Sequence, residues 1–361
     1  GRFSRTEEAF ELRCTPRSLE NSVLKVTFGE DGAIVSVRHK RLDREMVRGA
    51  ANRLLVYDDF LHYSEEEWGV ESAWDMPVRY KDREPYVPVL TRMRSYLAGG
   101  CAVMETEYKV LNSTIVQRAV LRAESGRIVF ETEVDWRESC KMLRSLSGVN
   151  VTADEALRGV QFGCARVPLN KNTVWEYAVF ERAVQRWADI SEEKFGVALL
   201  PSGKYGVRLQ DKQLDLCLLR SSGYPAKDLD VGRHAFTYAL YFHEGNAKRG
   251  RVLEEAYALE YPLGVSRAAD LPEPLFRQKY GSVFAETVKP AEDGRGVIVR
   301  LYEGYGNEET EAVLPAARFG AFWETNILEE KLRPLALQEG ALRLVFRPFE
   351  VKTLLFSEEK E

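Results

Sequence analysis

The 361-residue sequence is short of histidine, of clustered cysteine and of long apolar runs, and each shortage closes off a class of function. Its four histidines, His39, His62, His234 and His243, form no His-x-His or His-Glu-x-x-His string and join no Cys/His cluster. Metal sites in proteins draw on such close spacings, so no metal site is expected within this chain. His234 and His243 flank one predicted strand, which at ~3.3 Å per residue sets them roughly 30 Å apart, too far to share an ion. The five cysteines, Cys14, Cys101, Cys140, Cys164 and Cys217, are odd in number and widely spaced. That pattern fits neither a zinc knuckle nor a thioredoxin-type pair, and free thiols in a reducing cytoplasm are the expectation. No apolar run approaches the ~20 residues of a membrane span. The formal net charge of −5 offers no clustered positive surface for nucleic acid or anionic lipid. Neither a Gly-x-Ser-x-Gly elbow nor a phosphate-cradling loop is present, and Gly304-Tyr305-Gly306 reads as an ordinary loop. The start, Gly1-Arg2-Phe3, has no initiator Met and no signal-peptide pattern, and reads as a piece of a longer chain.

What the sequence does have is alternation. Ile128, Phe130, Thr132 and Val134 share one face of a predicted strand, with Glu131 and Glu133 on the other. Leu214, Leu216 and Leu218 alternate with Asp215 and Cys217, and Phe236, Tyr238, Leu240 and Phe242 form a third stripe. Leu342, Leu344 and Phe346 repeat the pattern ahead of a strand from Val351 to Phe356. Turn pairs separate the runs: Asp31-Gly32, Ser125-Gly126, Ser202-Gly203 and Asp293-Gly294. Many strands with little helix predict an all-β, antiparallel sandwich chain. One helix of about two turns is predicted over Arg251 to Leu259, with Leu253, Ala256 and Tyr257 on one face. Pro262, Pro272 and Pro274 follow it, and proline stiffens linkers and breaks ladders. Two domains are therefore expected, 1–261 and 276–361, joined by a linker at 262–275.

Three clusters invite a chemical reading. Asp58, Asp59, Glu65, Glu66 and Glu67 supply the paired carboxylates that glycoside hydrolysis uses, and equally describe a solvated acidic loop. Trp74-Asp75 joins an aromatic face, suited to pyranose C–H surfaces, to a carboxylate suited to vicinal hydroxyls; core filling and a turn cap are the alternative. Arg220 ends a strand and opens the loop Ser221-Ser222-Gly223-Tyr224-Pro225, a typical ligand position and equally a place for an ion pair.

Several strings taken in order resemble glycoside hydrolase family 38, the retaining α-mannosidases. Leu19-Glu20-Asn21, Leu24 to Val26, Asp31-Gly32 and Ile34 come first, then Gly49-Ala50-Ala51-Asn52-Arg53-Leu54 and Ala73-Trp74-Asp75. Gln185-Arg186-Trp187-Ala188-Asp189, Tyr205-Gly206 and Leu218-Leu219-Arg220 follow, with Asp230, Gly232, His234 and Phe236 to Leu240. Tyr302-Glu303, Tyr305-Gly306, Thr325-Asn326 and Arg347 to Leu354 close the series. In that family the nucleophilic aspartate and the zinc ligands lie in an N-terminal α/β domain and a helical bundle. This sequence resembles only what comes after them, so no catalytic residue carries over to any position here. The resemblance implies a large super-sandwich similar to mutarotase-type folds, then a small C-terminal sandwich. It implies packing on the chain's own N-terminal catalytic domain, an α-mannoside oligosaccharide as substrate of the intact enzyme, and zinc in that missing domain. Trp74, Asp75, Arg220, Asp230 and His234 are the residues expected at the rim of the mannose pocket. Family members often continue the Trp-Asp motif with isoleucine and another acid, where this sequence has Met76-Pro77, which leaves the loop path open.

Two other functions compete. A stand-alone carbohydrate-binding protein needs no catalytic set. A mutarotase-like epimerase needs a histidine acid and a carboxylate base facing one cleft, for which His234 with Asp230 is the local candidate. Self-association into a homo-oligomer stays open.

Overall fold

The structure is a computed structural model that describes residues 12–59, 73–76, 78–226, 228–264, 273–278 and 281–358. The Glu65–Glu67 run and His62 lie outside the described residues, as does most of the 262–275 segment. The chain forms two compact units: residues 1–158 with 166–261, and residues 159–165 with 262–361.

The first unit holds three antiparallel sheets around one core. A five-stranded sheet runs Arg13–Thr15, Ser18–Glu20, Leu24–Phe28, Ile34–His39 and Arg44–Glu45 in simple succession. A nine-stranded sheet is centred on Phe195–Leu200, Gly232–Glu244 and Arg127–Trp136, and continues through Ser113–Arg122 and Cys101–Val110 to Val89–Ala98. The third sheet has the order Arg182–Ala183, Gly206–Gln210, Gln213–Ser221, Lys141–Gly148, Arg53–Asp58. The alternation read in the sequence supplies the core. Ile128, Phe130 and Val134 pack with Tyr238, Leu240 and Phe242 from the neighbouring strand and with Leu214, Leu216 and Leu218 of the third sheet. In the second unit Leu342, Leu344 and Phe346 meet Val299, Leu301, Leu354 and Phe356 from a separate five-stranded sheet.

The predicted helix is present as Val252–Glu260 and buries Val252, Leu253 and Ala256. Gly32 sits at φ +80, as its turn requires, whereas Gly126 is needed for space: a Cβ there would lie 2.4 Å from the Phe242 carbonyl oxygen. Among the described residues no helix is long and apolar enough to cross a membrane.

Candidate functional site

The outer face of the third sheet carries most of the chemistry. On Arg53–Asp58, Leu54 and Val56 face the core, so Leu55 and Tyr57 face outward. They form a second apolar cluster with Tyr80 and Met142, against which Met76 and Phe180 pack. The same alternation turns Asp215 outward from Gln213–Ser221, beside Arg144. An outward position should be wet, yet both side chains are buried because Met76, Tyr80, Lys81, Phe180 and Glu181 cover them.

Buried charges must be paired. Arg144 Nε donates to Asp215 Oδ1 at 2.7 Å, its Nη2 donates to the Asp215 carbonyl at 3.0 Å, and Glu181 accepts an ion pair at 2.8 Å. The Lys81 ammonium bonds the other Asp215 oxygen, and the Tyr80 ring lies 5.3 Å from the Arg144 guanidinium. Burial works against the charge on Asp215, but Arg144 and Lys81 outweigh it and hold the carboxyl below its usual range. Burial likewise works against Arg144, and Asp215 with Glu181 outweighs it, so the guanidinium stays charged. Cys217 is pushed up to about 11 by burial, which makes its thiol a poor nucleophile.

Arg220 closes the end of the same sheet. It pairs in register with Met142, and its Nε and Nη2 donate to Asp59 Oδ2 and Oδ1 at 2.7 and 3.1 Å. Nη1 donates to the Ala73 carbonyl at 3.3 Å, and Nη2 also reaches the Asp75 carbonyl. The guanidinium thereby ties a buried aspartate to the backbone on both sides of Trp74. Burial pushes the Asp59 carboxyl up, and Arg220 pulls it part of the way back. The Ala73 N–H donates to the Tyr224 carbonyl at 3.0 Å, and the Trp74 and Tyr224 rings meet at 5.5 Å. Trp74 is 69% exposed and Tyr224 is exposed beside it, so the clamp presents an aromatic pair to solvent rather than filling a core.

Of the five expected rim residues, the structure therefore brings Trp74, Asp75 and Arg220 together. Asp230 and His234 form a second group at the start of Gly232–Glu244: Asp230 has φ +60, and His234 Nε2 lies 2.7 Å from its carbonyl oxygen. That contact uses the Asp230 backbone, not its carboxylate, so it is not the acid–base pair an epimerase needs. His243, at the other end of the strand, is buried with Nε2 2.8 Å from Asp189 Oδ1, while the Ser191 hydroxyl donates to Asp189 Oδ2 at 2.5 Å. The aspartate stands between serine and histidine, so the histidine cannot take the serine proton.

Among the described residues no group of three or more His, Cys, Asp or Glu side chains could hold a metal ion. Sequence reasoning missed Lys81, Arg144, Glu181 and Asp215 as a unit. The signal that could have raised it is a charged residue inside an apolar strand run, Leu214-Asp215-Leu216.

The family described as "Glycosyl hydrolases family 38 C-terminal domain" matches residues 19–228, and "Glycosyl hydrolases family 38 C-terminal beta sandwich domain" matches 282–354. Alpha-mannosidase G of Dictyostelium discoideum is 30% identical over 94% of this chain and 32% of its own length. Human Alpha-mannosidase 2C1 is 32% identical over 94% of this chain and 33% of its own. The chain thus spans about a third of the length of the curated relatives it matches. An alpha-mannosidase crystal structure from Enterococcus faecalis superposes with a TM-score of 0.75 at 16% identity, over 96% of this chain and 43% of that one, a likeness of fold.

Proposed function

Given that the chain belongs to glycosyl hydrolase family 38 and matches its C-terminal domains, we propose that it is the non-catalytic C-terminal region of an α-mannosidase. In this reading the intact enzyme hydrolyses terminal α-D-mannosyl residues with retention, in the cytoplasm. The zinc and the attacking carboxylate belong to the N-terminal catalytic region, on which this chain packs. The observation that carries the reading is the match to both C-terminal families in sequence order, by a chain that spans about a third of its curated relatives.

The chain's own contribution is to shape the rim of the mannose pocket. Trp74 and Tyr224 offer an aromatic surface for the C–H face of a pyranose, and the exposed Asp75 carboxylate accepts from sugar hydroxyls. Arg220 acts through them, as a positioning residue that fixes the backbone at Ala73 and Asp75. His234 and Asp230 supply further polar groups. The test is Trp74→Ala in the full-length enzyme. KM for an α-mannoside should rise about tenfold, the equivalent of ~1.4 kcal/mol, with the melting point unchanged, because the side chain is largely exposed. Unchanged kinetics would remove Trp74 from the pocket.

A further inference from the structure

One surface of the first unit is apolar where water should be. The helix Val174–Ala178 buries none of its residues. Val174 is 80% and Trp175 84% exposed, and Tyr177 and Val179 are exposed beside them. A five-residue helix does not persist on propensity alone. This one is held by a capping box: Thr173 Oγ1 accepts from the Glu176 N–H, and the Glu176 carboxylate accepts from the N–H groups of Asn172 and Thr173 at 2.7 and 2.9 Å. The flanks are pinned as well. Phe180 packs on the cluster of Leu55, Tyr57, Tyr80 and Met142, Glu181 pairs with Arg144, and the Lys171 ammonium donates to the Val179 carbonyl. Local hydrogen bonds and a buried ion cluster thus hold in place a turn whose large apolar side chains contribute nothing to this unit's core. Rigidly displayed apolar groups of this kind mark an interface.

The flank is basic. Arg182 pairs in register with Val207, next to Arg208, and Arg158 donates to the Ala183 carbonyl. Burial together with the charges of Arg182 and Arg208 lowers the affinity of Lys171 for its proton. In a chain of net charge −5, four crowded cations complement a partner surface that carries carboxylates.

We propose that Val174, Trp175, Tyr177 and Val179, with the flanking basic residues, form the docking surface for the N-terminal catalytic region, whose matching surface is an apolar recess bordered by carboxylates. This rests on the reading of the chain as the C-terminal part of an α-mannosidase. The occupant follows from chain length and charge. The relatives are about three times as long as the matched segment, and both families place that segment at the C-terminal end, so a tethered partner is present at high effective concentration. A second copy of this surface would bring four more cations, while its Glu176 is spent on the cap and its Glu181 on Arg144.

The test is hydroxyl-radical footprinting of Trp175 in the full-length protein and in the 361-residue chain, with carbodiimide cross-linking of Lys171 and an α-mannosidase assay run alongside. Oxidation of Trp175 should be several-fold slower in the full-length protein, and Lys171 should cross-link to acidic residues of the N-terminal region. Trp175→Ser should leave the melting point of the 361-residue chain unchanged and lower that of the full-length protein. Equal oxidation in both proteins overturns the proposal. Protection that fades on dilution as a dimer dissociates overturns it in favour of a second copy. An active full-length enzyme with Trp175 exposed sinks the docking surface alone. A protected Trp175 in a protein that cleaves no α-mannoside sinks the α-mannosidase reading and leaves the docking surface standing.

Discussion

Arg220 and Asp59, 161 residues apart in sequence, meet through a two-pronged ion pair, Nε to Oδ2 at 2.7 Å and Nη2 to Oδ1 at 3.1 Å. The aspartate is almost wholly buried and the arginine is partly so. The guanidinium also reaches the carbonyls of Ala73 and Asp75. One side chain thus couples a buried charge to the loop that displays Trp74.

Removing Arg220 should therefore affect both stability and kinetics. Arg220→Ala leaves Asp59 buried and unpaired, a change that costs about 3–5 kcal/mol in comparable sites. In the full-length enzyme it should also lower kcat/KM, because the Trp74 backbone loses its anchor. The double variant Asp59→Asn with Arg220→Ala separates the two effects: the melting point should recover in part, and kcat/KM should not. Full recovery of both would mean that the loop does not depend on Arg220.

The ion cluster around Asp215 makes a pH prediction. Its folded carboxyl is held below the ordinary aspartate range by Arg144 and Lys81. The stability it contributes is present above the unfolded pKa and is lost as pH falls through the depressed folded value. Asp59 runs the other way. Its folded pKa is raised, so its contribution is present below the unfolded value and fades as pH rises through the folded one. Asp215→Asn should cost about 3–5 kcal/mol at neutral pH and flatten the acid limb of the stability profile. Denaturant melts of both proteins across the acid range check this, and parallel profiles would contradict it.

Cleavage should come first between residues 262 and 275. The compact units separate between Tyr261 and Pro262, and the segment is rich in proline and exposed at Pro262, Leu263 and Gly264. Limited proteolysis followed by mass spectrometry reads the site. A first cut at 140–155, with 262–275 intact, would reject a linker there.

The strands were legible because alternation and burial agree. Leu214, Leu216 and Leu218 face the core as their spacing requires, and so do Leu342, Leu344 and Phe346. The same rule misled at Asp215. Period two gives the face of a residue but not what covers that face, and the covering residues, Met76, Tyr80, Lys81, Phe180 and Glu181, come from distant parts of the sequence. The helix Val174–Ala178 went unread although Thr173 and Glu176 carry the spacing of a capping box, because the segment has no apolar face turned inward to announce it. At the candidate site, Arg220 was legible as a loop-opening residue at a strand end. Its partner Asp59 was read only as one of five acids in a cluster, since nothing local distinguishes it from Asp58, which pairs instead with Lys141 at 2.9 Å.

The most direct test of the account is a chromogenic α-mannoside assay on the 361-residue chain at high concentration with added zinc, beside the full-length protein. The account predicts turnover by the full-length protein and none by the chain alone. Activity that survives repurification and follows the 361-residue chain through its chromatographic peak would contradict it.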